Sequence, residues 1–320
     1  MTKKLITVFG ATGAQGGGLV RAILHDSTGE FAVRAVTRHA NSAKAQELAR
    51  LGAEVVEADL DDAASVRRAM QGAYGAYCVT FFWEHFSPEK ELAEAQTLAK
   101  AAKVEGVQHV IWSTLEDSRL WVPLSDNRMP TLMGKYKVPH LDAKGEANHF
   151  FTDLGVPTTF LLTSFYWENF IYFGMGPKPG PDGKLAIAFP MGDRRLSGIA
   201  AEDIGKCALG VFRQGPTLIG KTVGITGGQL TGQEMASAMG KALHTEVAYH
   251  DVAPDVYRSF GFPGADDLGN MFQFQRDFAD DSLKARSVEF SRQLNPELQS
   301  FETWLLAHAS QIPMEMATAH

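Results

Sequence analysis

An apolar run at Leu5–Phe9 leads into Gly10-Ala11-Thr12-Gly13-Ala14-Gln15-Gly16, and a helical pattern then extends from Ala14 to His25. Glycine at every third position lets the backbone turn sharply and lets a ligand approach it closely. The helix that follows presents unpaired N–H groups and the positive end of its dipole, a setting that suits a pyrophosphate. The spacing G-x-x-G-x-x-G is a variant of the dinucleotide fingerprint. It is weak alone and specific here, because it closes a first strand and opens a helix.

The rest of the first half supplies that context. Strand-like segments at Ala32–Thr37, Glu54–Glu57, Ala76–Thr80, His109–Ser113 and Thr158–Thr163 alternate with helical patterns. The helices are expected at Ser42–Leu51, from an Asp61 or Asp62 cap through Met70, at Ser87–Val104 and at Pro139–Leu154. This alternation predicts an α/β fold, a Rossmann-type doubly wound parallel sheet. Residues 116–138 interrupt it with a long mixed loop, the mark of a functional flap or an insertion.

Past residue 160 the β-α beat is lost. A strand lies within KPGPDGKLAIAFPMGD, helices at Ala201–Phe212 and Gly232–Leu243, a strand at Thr222–Thr226, and two or three short helices close the chain. Residues 1–160 are therefore expected to form the dinucleotide domain. Residues 161–320 are expected to form a smaller α+β lobe, interleaved with the first.

Composition narrows the partners. With 45% hydrophobic and 21% charged residues the chain has the profile of a soluble globular protein. A net charge of -7 without a basic tract gives no grip on nucleic acid. No apolar stretch reaches the ~20 residues that span a bilayer. Cys78 and Cys207 lack metal-ligand spacing and read as buried small hydrophobes. The expectation is a cytoplasmic protein with a nuclear fraction allowed, monomeric or homodimeric, with no bound metal.

The second strand ends in Thr37-Arg38-His39. Arg38 stands about 20 residues past the glycine turn, where an NAD site carries an acid that accepts the ribose 2′-hydroxyl. A guanidinium cannot accept a hydrogen bond but clamps a phosphate in two-point fashion. The cofactor expected is NADP(H).

GATGAQGG, the Thr37-Arg38 ending, Ala58-Asp59, the stretch from His140 to Glu146 (HLDAKGE) and Tyr166-Trp-Glu-Asn169 together resemble the NmrA-like proteins, atypical short-chain dehydrogenases/reductases. The resemblance covers nearly the whole chain, and GFPGADDLGNMF (261–272) and LNPELQSFETWL (294–305) resemble most an NADPH-sensing branch. It implies that Gly10, Thr12, Gly13, Ala14, Gln15 and Gly16 hold the pyrophosphate and that Arg38 meets the 2′-phosphate. Asp59 and Leu60 would border adenine, and Thr80 and Phe81 would lie beside the ribose. Lys144 would bond the nicotinamide ribose, with Tyr166 near the nicotinamide.

Reductases of this class carry Ser and Tyr-x-x-x-Lys. Here Ser113 closes the fifth strand, but the spacing reads His140-x-x-x-Lys144 and the tyrosine is missing. Tyr136 precedes His140 by four residues, but Pro139 intervenes and starts the helix. Imidazole exchanges protons near neutral pH, so His140, Lys144 and Ser113 are the catalytic candidates. Leu162 and Ser164 stand where many relatives have Arg and Pro, and Ala93 or Gln96 where the sensor branch has a lysine.

Two functions follow. The sequence favours a redox regulator that senses NADPH, in which occupancy orders loops 81–90 and 116–138 and alters a surface for a regulatory protein partner. The alternative is an NADPH-dependent reductase of a small apolar acceptor such as a quinone, imine, enone or carbonyl. Trp83, Phe86, Trp121, Trp167 and Phe170 are the aromatic candidates to line its substrate slot.

Overall fold

The structure is a computed structural model that describes residues 2–180 and 183–314. The first half runs β1 (Lys4–Val8), α1 (Ala14–His25), β2 (Phe31–Thr37), α2 (Ala43–Arg50), β3 (Glu54–Glu57), α3 (Ala63–Met70) and β4 (Gly75–Cys78). It continues with the single-turn α4 (Phe82–His85), α5 (Pro88–Val104), β5 (His109–Thr114), α6 (Pro139–Glu146), α7 (Asn148–Asp153) and β6 (Thr158–Leu162). The second half holds β7 (Phe165–Tyr166), α8 (Asn169–Tyr172), β8 (Lys178–Pro179), β9 (Leu185–Ala188), β10 (Arg195–Ile199) and α9 (Ala201–Gln214). Then come β11 (Thr222–Gly224), β12 (Gly228–Thr231), α10 (Gly232–Leu243), β13 (Val247–His250), α11 (Pro254–Arg258) and α12 (Ala265–Asp277). Helices α13 (Ala279–Ala285), α14 (Val288–Leu294) and α15 (Phe301–His308) end the series.

Seven strands form one parallel sheet in the order β11-β6-β5-β4-β1-β2-β3. This is the Rossmann-type arrangement the alternation predicts. Its seventh strand, β11, comes from the second half of the chain. Two three-stranded sheets, β12-β10-β7 and β13-β9-β8, stand apart from it.

Successive strand residues face opposite layers. Ile6, Val8, Tyr77 and Ile111 pack with Leu19, Ile204 and Phe212 on the α1/α9 side. Phe9, Cys78, Val110 and Trp112 pack with Val66, Leu98 and Phe151 on the α3/α5/α7 side. A sheet covered on both faces needs apolar residues at consecutive positions, which is why its strands read as continuous runs. Local signals set the ends of the helices: Asp62 caps Ala64 N–H, and Ser87 caps α5 ahead of Pro88.

Three sequence expectations change. The helix expected at Pro139–Leu154 is two helices hinged at Ala147. The two or three short closing helices are five after β13 among the described residues, and α12 is thirteen residues long. The loop 116–138 is packed, not loose: Val122, Met129, Tyr136 and Val138 are buried. Asp142 of α6 fastens it, accepting from Ser118 N–H (2.8 Å), Lys137 N–H (2.8 Å) and Val138 N–H (3.1 Å).

Candidate functional site

The ends of β1, β2, β4 and β5 converge where the strand order reverses, between β1 and β4. In open α/β sheets the crevice outside that point is where ligands bind. Gly10 takes φ +64, the left-handed region that favours glycine, and a Cβ on Gly16 would overlap the Gly10 carbonyl. The α1 N-cap, Gly13, offers no side chain to the helix end. Among the described residues, the amides of Ala14, Gln15 and Gly16 have no acceptor in the chain. Three free N–H groups at an exposed helix start fit a pyrophosphate. Gly18 serves packing instead: a Cβ there would lie 2.7 Å from the Glu202 carbonyl of α9.

The side chain of Gln15 is engaged elsewhere. Its Nε2 donates to the Tyr166 hydroxyl, and its Oε1 accepts from Tyr77 OH and from Ser113 Oγ (2.8 Å). What Gln15 offers a pyrophosphate is therefore its backbone N–H. This one side chain gathers Ser113 and Tyr166, and burial pushes the Tyr166 phenol up to about 12.

At the end of β2 the Arg38 side chain is about half exposed, and its Nη1 lies 2.5 Å from Glu84 Oε1 of α4. Asp59 turns back on its own loop, accepting from Asp61 N–H at 3.0 Å, with Leu60 half-buried beside it. Thr80 is buried and Phe81 exposed at the end of β4.

Lys144 is buried, and three acceptors surround its ammonium: Thr80 O (3.1 Å), Thr80 Oγ1 (2.7 Å) and Glu91 Oε1 (2.5 Å). All three of its protons are given to the protein, so a ribose hydroxyl can be served only by exchange for one of these. Glu91 of α5 is wholly buried, and although burial raises its pKa, Lys144, His85 and Thr80 together hold it at about 2. Glu94, one turn on, is pushed up to about 7 by burial and then by the Glu91 charge.

His85, Glu91 and Glu94 bring ligand atoms within 4.8 Å of one another. However, Ser87 N–H donates to His85 Nδ1 (3.0 Å), which leaves the ring proton on Nε2, facing Glu91 Oε2 at 3.5 Å. A ring proton turned toward the carboxylate at that distance makes this an electrostatic cluster, with no bare imidazole nitrogen for a metal ion.

His140 sits one turn before Lys144 on α6. Asp267 of α12 takes both its groups: His140 Nδ1 lies 2.6 Å from Asp267 Oδ1, and His140 N–H donates to Oδ2 at 3.1 Å. The carboxylate fixes the imidazole by ring and by backbone, and these bonds leave Nε2 without a hydrogen-bond partner among the described residues. Trp83 (4.8 Å between ring centres) and Phe82 (6.0 Å) flank the ring.

Of the expected aromatic slot, Trp83 and Phe86 of the β4–α5 connection stand together at this place. Trp167 and Phe170 do not line a slot; they are buried in the core of the second half. Trp121 bonds Asp281 (3.0 Å) and lines a separate cavity of about 330 Å³ with Glu116, Asn148 and Phe278. Tyr136 is buried with its ring beneath Arg119 and Lys135.

Sequence reasoning missed Asp267, Glu91 and Glu84. Glu91 had a readable signal: with Ala95, Leu98 and Ala102 it falls on the buried stripe of α5, where an acid demands a partner. Asp267 and Glu84 had none, because their partners lie 127 and 46 residues away.

The sheet order, the glycine turn and the exposed helix start define a Rossmann-type dinucleotide-binding protein. The chain belongs to the NmrA-like family, whose sequence profile matches residues 2–305. It is 28% identical to the NmrA-like family domain-containing oxidoreductase ptmS of Penicillium ochrochloron, over 95% of this chain and 97% of that one. It is 29% identical to the NmrA-like family domain-containing protein DDB_G0286605 of Dictyostelium discoideum, over 80% of this chain and 83% of that one. Among solved structures, the negative transcriptional regulator NmrA in complex with NADP superposes with a TM-score of 0.76 at 24% identity, covering 96% and 95% of the two chains. The Citrobacter sp. triphenylmethane reductase complexed with NADP(H) gives 0.72 at 17% identity, covering 96% and 99%.

Proposed function

We propose that this chain is an NADP(H)-dependent reductase in which His140, held by Asp267, donates the proton that accompanies hydride transfer. The observation that carries this reading is the pair itself. At the position where the family of reductases places its tyrosine, the chain has an acid-base side chain fixed by a buried carboxylate, with its other ring nitrogen unclaimed. Relatives along most of its length are named oxidoreductases, and structural neighbours are NADP complexes.

NADPH, when bound, would supply the hydride, with the first-turn amides of α1 holding its pyrophosphate and Arg38 its 2′-phosphate. With Asp267 accepting from His140 Nδ1, the ring that acts as the acid is the imidazolium: it gives its Nε2 proton to the acceptor atom of the substrate and is left as the neutral Nδ1–H tautomer. The flanking Trp83 ring excludes water on one side, as an apolar substrate requires. Lys144, with its protons shared between Thr80 and Glu91, places a fixed positive charge one turn from His140.

The regulator reading keeps one observation in its favour. Ser113 and Tyr166, which a reductase would turn toward its substrate, are both spent on Gln15. Absorbance at 340 nm, followed with a panel of quinones, imines, enones and aldehydes, separates the two. The reductase reading expects turnover that falls roughly a hundredfold to ten-thousandfold in His140→Asn and Asp267→Asn, with NADPH affinity kept. NADPH binding without oxidation by any member of the panel supports the regulator.

A further inference from the structure

The Arg38 guanidinium does not wait free. Glu84 Oε1 lies 2.5 Å from its Nη1, and the carboxylate is drawn below the usual range by that contact. Dinucleotide sites that select NAD place an acid at the end of the second strand. This chain has an arginine there, yet the fold returns a carboxylate to the same spot from another element, the single turn α4 that follows β4. Asp59 and Glu94 add further negative field at Arg38, while Lys90 and His85 also favour the charged form of Glu84.

We propose that Glu84 is the residue that sets the balance between NADP(H) and NAD(H). A 2′-phosphate and the Glu84 carboxylate are two anions competing for one guanidinium, and an end-on two-point contact with phosphate, through Nη1 and Nη2, uses the nitrogen that Glu84 holds. Binding NADPH therefore displaces Glu84, and the lost ion pair is subtracted from the affinity. Binding NADH leaves the pair in place and gives the ribose 2′-hydroxyl a carboxylate to donate to. The dinucleotide preference thus depends on an ion pair between β2 and α4 as well as on Arg38. The inference rests on the reading of Arg38 as the 2′-phosphate contact.

The test is calorimetric titration of the full chain with NADPH and with NADH, in wild type, Glu84→Gln, Arg38→Gln and the double variant. Both side chains are near half exposed, so the variants keep the fold, which a thermal melt verifies. An exposed ion pair of this kind corresponds to roughly a twofold to fivefold change in affinity. Glu84→Gln should tighten NADPH by that factor and leave NADH equal or weaker. In the Arg38→Gln background the same change should no longer tighten NADPH. If Glu84→Gln moves both cofactors equally, or weakens NADPH, the proposal is overturned while Arg38 stands. If Arg38→Gln leaves the ratio of the two affinities unchanged, the reading of Arg38 fails, and this proposal fails with it.

Discussion

Replacing Glu91 with Gln removes the negative member of a buried pair and leaves the Lys144 ammonium without its counter-charge. Glu91 is wholly enclosed and Lys144 nearly so, at 2.5 Å. The folded carboxyl is held at about 2 against a reference of 4.5, which at ~1.36 kcal/mol per unit amounts to about 3 kcal/mol of stability. That agrees with the ~3–5 kcal/mol lost when one partner of a buried pair is removed. The folded value is depressed, so the contribution is complete above the unfolded value near 4.5 and fades as pH falls toward 2. Urea denaturation should show Glu91→Gln weaker than wild type by about 3 kcal/mol at neutral pH, and by less than half of that near pH 3. A double change to Lys144→Met with Glu91→Leu should recover much of the loss, because two apolar groups leave nothing unpaired. A neutral-pH deficit below ~1 kcal/mol, or one that does not vary with pH, refutes the assignment of this pair as a structural charge anchor.

Glu94 carries the opposite sign. Its raised value, about 7, means that ionisation opposes folding, so wild-type stability falls as pH climbs from 4.5 to 7. Glu94→Gln should match wild type near pH 4 and exceed it at pH 8, and equal melting curves at both would contradict the burial cause. Gly205 of α9 faces the Leu19 and Gly18 backbone of α1, and a Cβ there would overlap it. Gly205→Ala should cost ~2–3 kcal/mol or more in urea midpoint analysis as the two helices are forced apart. An unchanged midpoint would mean that the crossing is looser than described.

Much of the sheet was legible because it follows from local patterns. The span Ala14–His25 and the strand Glu54–Glu57 could be read to the residue, since cap, glycine and periodicity agreed there. The Ala147 break between α6 and α7 was not read, because the polar stretch KGEANH (144–149) carries no proline or cap residue that marks it; α6 lies against β5 and α7 against β6. The closing helices were harder still. α12 mixes Asp, Asn and Gln with Phe, and its buried polar face is satisfied by distant partners: Asp267 accepts from His140, Asn270 donates to Pro130 O and Gln273 to Arg128 O. Within the site, the glycine turn, Arg38, His140 and Lys144 stood out by position in a motif. Their counter-charges did not, since Glu84, Glu91 and Asp267 acquire meaning only once the chain has folded. For the function, the sequence weighed a missing tyrosine toward a regulator, and the Asp267 contact with His140 shifts our reading toward chemistry.

The bond between His140 and Asp267 spans 127 residues. As the chain leaves the ribosome, the glycine turn and the first six strands emerge well before α12 does. A growing chain can thus present its dinucleotide crevice while the imidazole is still unsecured, and Asp267 reaches His140 only after the first six strands have been made.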